Sequence, residues 1–200
     1  MINPHKITED FEQAICEYTN SKYAVAVDSG TNALFLCLKY FNIEGVEITI
    51  PNHTYVSVPC SIINAGGKVK FKYSSSILKG KYQLKPLPVW DSALYFVKDM
   101  YVPEQMMCLS FTNKVLSLTK GGMILTDNDE ANIWFRKARY HGRNNVSHLE
   151  DNFDMVGYNM YMTPEVAAQG LLKLGSIKEG EISSEKYQDL SKFKVCSLIV

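Results

Sequence analysis

Residues 32–41, NALFLCLKYF, are apolar on nearly every side of a helix, through Ala33, Leu34, Phe35, Leu36, Cys37 and Leu38. A helix of that kind belongs inside a protein, not on its surface. It follows closely on Tyr23–Val27, YAVAV, a continuous apolar run of strand length, with Asp28-Ser29-Gly30-Thr31 between them. Two buried elements in series must be covered on both sides, and a layered arrangement of helices on a sheet supplies that cover. The turn between them has chemical value of its own. A helix start reached through a glycine turn presents backbone N–H groups to an anion. The plainer use of the same residues is a cap, with Ser29 or Thr31 satisfying the helix's own donors.

The rest of the chain alternates in the same way. Thr8, with Glu9 and Asp10 after it, opens a helix whose apolar face is Phe11, Ala14, Ile15 and Tyr18, and Asn20 is its stop. Gly45 precedes a strand over 46–50. A helix is expected from Tyr55, with Pro59 near its first turn and Gly66-Gly67 at its end. KVKFKY, 68–73, alternates as a half-exposed strand, 74–87 is polar and reads as a surface connection, and 87–90 is a short strand ending at Asp91. Residues 106–111 and 122–126 are two more strands. Between them runs a loop carrying Lys114 near its start and Gly121-Gly122 at its end. Helices are expected over 128–139, 164–174 and 183–190, with a polar loop over 140–155. The pattern predicts a three-layer α/β/α sandwich on a mostly parallel mixed sheet.

At 200 residues the chain is long enough for one substantial core. Its formal net charge is zero, with no Lys/Arg-rich run, so there is no electrostatic case for nucleic acid or an anionic membrane. Cys16, Cys37, Cys60, Cys108 and Cys196 are scattered and never in C-x-x-C spacing, so neither a metal site nor a disulfide framework is expected. Cys37 and Cys108 lie in apolar runs and read as small core residues. MINPHKITEDFEQ has no apolar core, so no secretory signal is expected, and no apolar run approaches a membrane span. A reducing, cytoplasmic setting fits.

Gly30-Thr31, Tyr55, Asp91, Ser110 and Lys114 each fall just after a predicted strand or at its last residues. In open α/β sheets, ligands bind outside the carboxyl ends of the strands. Residues far apart in sequence therefore converge on one rim. They bring a helix start, an aromatic face, a carboxylate, a hydroxyl and an amine. An amine held among apolar groups is readily deprotonated and forms Schiff bases. Each residue also has a plain structural use. Lys114 can be a solvated lysine beside a turn, Asp91 a helix cap, Tyr55 a core aromatic. The glycine pair lets a flat ligand come close.

The stretches AVAVDSGTNALFLCL, ITIPNHTYVSVPCSIINAGGKVKF, PVWDSAL, CLSFTNKVLSLTKGGMILTDN, RKARYHGR and GYNMYMTPEVAAQGLLKL, in that order, resemble the DegT/DnrJ/EryC1/StrS family of pyridoxal-phosphate sugar aminotransferases. The resemblance implies the large domain of fold type I over 1–175. It leaves 176–200 as a short remnant in place of the family's smaller C-terminal domain. It implies pyridoxal 5'-phosphate as cofactor, with Lys114 as the Schiff-base lysine and Asp91 paired to the pyridine nitrogen. Tyr55 would stack on the ring, and Gly30, Thr31 and Ser110 would hold the phosphate. Asn159, in GYNMYM, would reach the phosphate in a partner subunit's site, making a homodimer. The implied reaction moves an amino group from glutamate or glutamine to a nucleotide-linked keto sugar, in polysaccharide biosynthesis. Two other outcomes are a cofactor-binding homologue or partner subunit without turnover, and a sugar dehydratase. Dehydrating relatives carry histidine at the lysine position, and this chain has Lys114. Three departures stand out: a segment one residue shorter before Lys114, Leu94 where the family carries His or Gln three residues after the aspartate, and the C-terminal part.

Overall fold

The computed structural model describes residues 5–192 apart from 115, 145, 148 and 178. Residues 193–200, with Cys196, lie outside the described residues. In chain order the elements are α1 (Lys6–Thr19), β1 (Tyr23–Val27), α2 (Gly30–Tyr40), β2 (Glu47–Pro51), α3 (Ser57–Asn64), β3 (Lys68–Lys72), β4 (Ile77–Leu84), β5 (Val89–Phe96), β6 (Met106–Ser110), β7 (Gly122–Thr126), α4 (Asp129–Ala138), α5 (Pro164–Ser176), β8 (Glu181–Ile182) and β9 (Ser184–Lys186), with a 3-10 turn at Leu190–Lys192.

The main sheet runs β1-β7-β6-β5-β4-β9, with β8 paired to β5 as well. Apolar residues alternate across it as the strand period of two requires. Val25, Val27, Met106, Cys108 and Ile124 face one side with α2, α3 and α4. Ala24, Ala26, Met107, Leu109, Met123 and Leu125 face the other with α1 and α5. Both faces are covered, which is why β1, β6 and β7 read as unbroken apolar runs. The three expected layers are therefore present. The first helix begins at Lys6, two residues before the start expected at Thr8, and Asn20 ends it in the left-handed conformation; two other helix starts are capped by side chains. Ser29 caps α2 by accepting the Asn32 N–H at 3.2 Å. Asn128 caps α4 by accepting the Ala131 N–H at 2.9 Å, with Asp129 and Glu130 in its first turn and Arg136 and Lys137 in its last. Among the described residues, no helix is long and apolar enough to cross a membrane.

The expectation of a mostly parallel sheet needs correction. β5–β6 is parallel, but β1–β7, β6–β7, β4–β5, β4–β9 and β5–β8 are antiparallel. The cause is insertion rather than a different direction of wrapping. β7 runs backwards between β1 and β6, so those two remain parallel to each other without touching. β2 and β3 form their own parallel pair, joined to the end of β4 by a Thr49–Lys85 bridge.

Three local expectations also change. Residues 74–87 are not a surface connection, because β4 forms there and pairs with β5. Within β4 just Gly80 and Leu84 are buried, a pattern too weak to show in sequence. The strand expected to end at Asp91 continues to Phe96 as the other arm of that hairpin. The helix expected over 183–190 is replaced by β9, which completes the exposed edge of β4, and by the 3-10 turn. A helix that short has little stability of its own, and sheet edge bonds outcompete it.

One buried ion cluster ties the layers together. Glu12 on α1 accepts the Ala26 N–H at 2.8 Å and Arg136 at 2.7 Å, and pairs with Arg139. Burial alone would push its carboxyl up, but Arg139 and Arg136 outweigh that and hold it below the ordinary glutamate value. The sign follows. The cluster's stabilisation is complete above about pH 4.3, the unfolded glutamate value, and is lost as pH falls through the lower folded value. Glu12→Gln is expected to cost about 3 kcal/mol at neutral pH, because two cations lose a buried partner. Urea denaturation between pH 3 and 7 checks both: the parent's excess stability over the variant should shrink toward the acid end.

Candidate active site

The helix start of α2 sits directly on the sheet. A Cβ at Gly30 would lie 2.8 Å from the Ser110 Cβ, and one at Gly122 would lie 2.4 Å from the Ser29 carbonyl carbon and 2.6 Å from the Gly30 nitrogen. Glycine is therefore required at Gly30 and Gly122 for backbone and strand to touch. The expectation that the Gly121-Gly122 pair serves a flat ligand gives way to this packing role at Gly122, while Gly121 turns the chain at φ +139°.

Above this contact opens a cavity of about 360 Å³, lined by residues from five segments of the chain. Gly30, Thr31, Tyr55, Asp91, Ser110 and Lys114 all line it. Thr31, left free of capping duty by Ser29, donates to the Ser57 hydroxyl at 2.9 Å. Ser110 is the last residue of β6, and Lys114 follows in the next turn. Tyr55 precedes α3 instead of starting it, and is 57% exposed, so a core role for it is excluded.

Asp91 is buried at the point where the parallel pairing of β5 with β6 ends. A bulge follows it: Gly80 and Tyr82, two apart on β4, oppose Leu94 and Asp91, three apart on β5. Bulges re-aim side chains, and here the Asp91 carboxylate folds back to accept the Ala93 N–H at 3.0 Å, while its other oxygen accepts the Tyr82 hydroxyl at 2.8 Å. Burial pushes the Asp91 carboxyl above the ordinary range, against the pull of these two donors and the Lys114 charge. Leu94 is buried in β5, beyond the bulge.

The Lys114 side chain is 18% exposed. Its neighbour is not the apolar setting expected from sequence, for its amine pairs with the Glu185 carboxylate on β9. Glu185 in turn accepts the Tyr187 hydroxyl, and both line the cavity. The partner lies 71 residues further on, and nothing local to either stretch signals it. Lys120 is exposed and pairs with Asp28 at 2.8 Å. Asn159 does not join the others. It is exposed and lines a separate cavity with Asp28, Lys120 and Tyr161.

An amine, a buried carboxylate, an aromatic face and a hydroxyl-rich helix start in a cavity of this size fit a small phosphorylated aromatic aldehyde. The fold, compared with solved structures, is that of sugar aminotransferases. S. venezuelae DesV superposes with a TM-score of 0.71 at 18% identity, over 88% of this chain and 57% of that one. Helicobacter pylori PseC, an aminotransferase of pseudaminic acid biosynthesis, gives 0.71 at 18%, over 85% and 57%.

The sequence goes further. The pattern of the DegT/DnrJ/EryC1/StrS aminotransferase family matches residues 2–74 and 103–190, and the chain belongs to that family. GDP-perosamine synthase from Escherichia coli O157:H7 is 26% identical over 96% of this chain and 64% of its own length. UDP-4-amino-4,6-dideoxy-N-acetyl-beta-L-altrosamine transaminase from Campylobacter jejuni serotype O:2 is 22% identical, over 94% and 61%. The chain thus spans about three fifths of the length of the curated relatives it matches. The matched segments carry Thr31, Tyr55, Ser110, Lys114 and Asn159, whereas Asp91 falls in the stretch between them.

The contact of α2 with the sheet can be tested against an unconstrained glycine. Gly122→Ala is expected to destabilise the fold by about 3 kcal/mol, since only backbone could yield. Gly175→Ala on α5, where an added Cβ meets nothing within 4 Å, should be neutral or stabilise by up to about 1 kcal/mol. Urea midpoints of the two variants give the comparison.

Proposed function

We propose that this chain is the cofactor-binding body of a pyridoxal-phosphate aminotransferase that carries an amino group from glutamate or glutamine to a nucleotide-linked keto sugar. The convergence of Lys114, Asp91, Tyr55, Ser110, Gly30 and Thr31 on one cavity carries the reading. When bound, pyridoxal 5'-phosphate supplies an electron sink for the carbon that loses its proton. Lys114 gives the amine that anchors the cofactor and then moves the proton. Asp91 holds a negative charge against the ring nitrogen, and Tyr55 covers the ring face. The start of α2, with Thr31 and Ser110, takes the phosphate. Residues 1–175 make up this body, and 176–192 add the wall that carries Glu185 and Tyr187. The active form in this reading is a cytoplasmic homodimer, in which the exposed Asn159 serves the partner's phosphate.

A second reading has a specific support. The Glu185 carboxylate occupies the Lys114 amine, as it would in a homologue that binds the cofactor without turning over. Dehydration has less support, because the lysine is present.

Borohydride reduction of the cofactor-loaded protein is expected to fix the cofactor on Lys114. Peptide mapping that placed it on Lys120, or nowhere, would remove the assignment. Glutamate or glutamine added to unreduced protein should convert its visible absorption, with Asp91→Asn slower by roughly a hundredfold, the scale of a lost electrostatic contact. Conversion by neither donor, in protein shown to hold the cofactor on Lys114, selects the second reading.

A further inference from the structure

Tyr82 stands in the stretch that the family pattern passes over. The register of the β4–β5 hairpin makes it the direct cross-strand partner of Asp91, and directly opposed residues of an antiparallel pair share a face. A phenol packed against the core needs an acceptor, and this one has a carboxylate. The hydroxyls form a directed chain. Tyr82 donates to Asp91 Oδ2 at 2.8 Å, which leaves the phenol oxygen to accept from the buried Thr54 hydroxyl at 2.6 Å. The other carboxylate oxygen takes the Ala93 N–H from the bulge. Each oxygen thus has one fixed donor and a lone pair remaining, while the carboxylate still lines the cavity.

We propose that Tyr82 is a positioning residue: with Thr54 behind it, it holds the Asp91 carboxylate as an oriented anion facing the cofactor's ring nitrogen. This deepens the reading under Proposed function and rests on it. The physical need is evident at the site. Burial works against the charged carboxylate, and hydrogen bonds donated to it work the other way. The groups acting on Asp91 are Tyr82, the Ala93 N–H and, at longer range, Lys114. Lys114 is shared with Glu185, so it is the least dependable of the three as a counter-charge. The Ala93 bond is part of the backbone turn. Tyr82 is therefore the side chain that sets both the angle and the charge of Asp91.

The test begins in cofactor-free protein. The pH titration of the Asp91 carboxyl carbon is followed by NMR and assigned by its absence in Asp91→Asn. In Tyr82→Phe the midpoint should rise by about one pH unit, a roughly tenfold gain in proton affinity. Thr54→Val should shift it in the same direction by less, and it carries the test if Tyr82→Phe fails to fold. In loaded protein, cofactor affinity should fall roughly tenfold in Tyr82→Phe, on the same linkage. An Asp91 midpoint unmoved in both variants overturns the proposal. A moved midpoint with equal cofactor affinity in the parent, Tyr82→Phe and Asp91→Asn overturns the link from Asp91 to the ring. A parent that takes no cofactor on Lys114 overturns the reading beneath it, and that result is visible before any variant is made.

Discussion

The cavity depends on how closely the start of α2 can approach the strands. Two glycines set that distance: Gly30 against the Ser110 Cβ, and Gly122 against the Ser29 backbone. A helix normally packs on a sheet through side chains, which hold the two backbones apart. Here one end is drawn down until backbone meets strand. The buried flank of α2, from Ala33 to Leu38, supplies the apolar attachment that keeps it there. The start of the helix, with Ser29 as cap, then forms the floor beside Ser110. Lys114 follows Ser110 within one turn, so the amine comes to the helix start by chain continuity.

The carboxylate arrives by a different route. β1, β5 and β6 point the same way although β7 intervenes between the first and last of them. Their carboxyl ends meet on one rim, which is the property of a parallel sheet that matters for a ligand. Asp91 takes its place there as the last residue of β5 to pair with β6. The strand then continues into a bulged hairpin rather than a helix, and that hairpin brings Tyr82 alongside. Local and long-range constraints therefore agree at Asp91: the bulge turns the side chain, and the opposing strand fixes it.

How much of this was legible in the sequence depended on the strength of burial at each place. β1, β6 and β7 are covered on both faces, and their apolar runs gave them away, as did the all-round apolar α2. The residues at the ends of those strands, Gly30, Thr31, Ser110 and Lys114, could be placed on one rim from strand direction. Asp91 and Tyr55 could be placed too, although the extent of β5 and the start of α3 could not. What stayed hidden has a common physical cause. β9 is the edge strand and β4 its inner neighbour, both with mostly polar side chains and stabilised by backbone bonds that leave little compositional trace. Tyr82, Glu185 and Tyr187 all sit on them or just beyond. Their roles come from pairing across the fold, and a tyrosine or glutamate in a polar stretch carries no mark of that.

The reliance of the lysine on β9 has a consequence in time. Chains emerge from synthesis amino end first and acquire long-range pairings last, because closing large loops carries an entropic cost before any contact compensates it. Residues Gly30 to Thr126, which include β7 and its Gly122 contact, carry the whole floor of the cavity and are made before Glu185 exists to pair with the amine. For that interval the lysine stands without its carboxylate neighbour. The completed edge then covers it, and whatever reaches the amine afterwards must displace an internal ion pair as well as water. The order in which this sheet is built thus gives the nascent chain and the finished one different access to the same nitrogen.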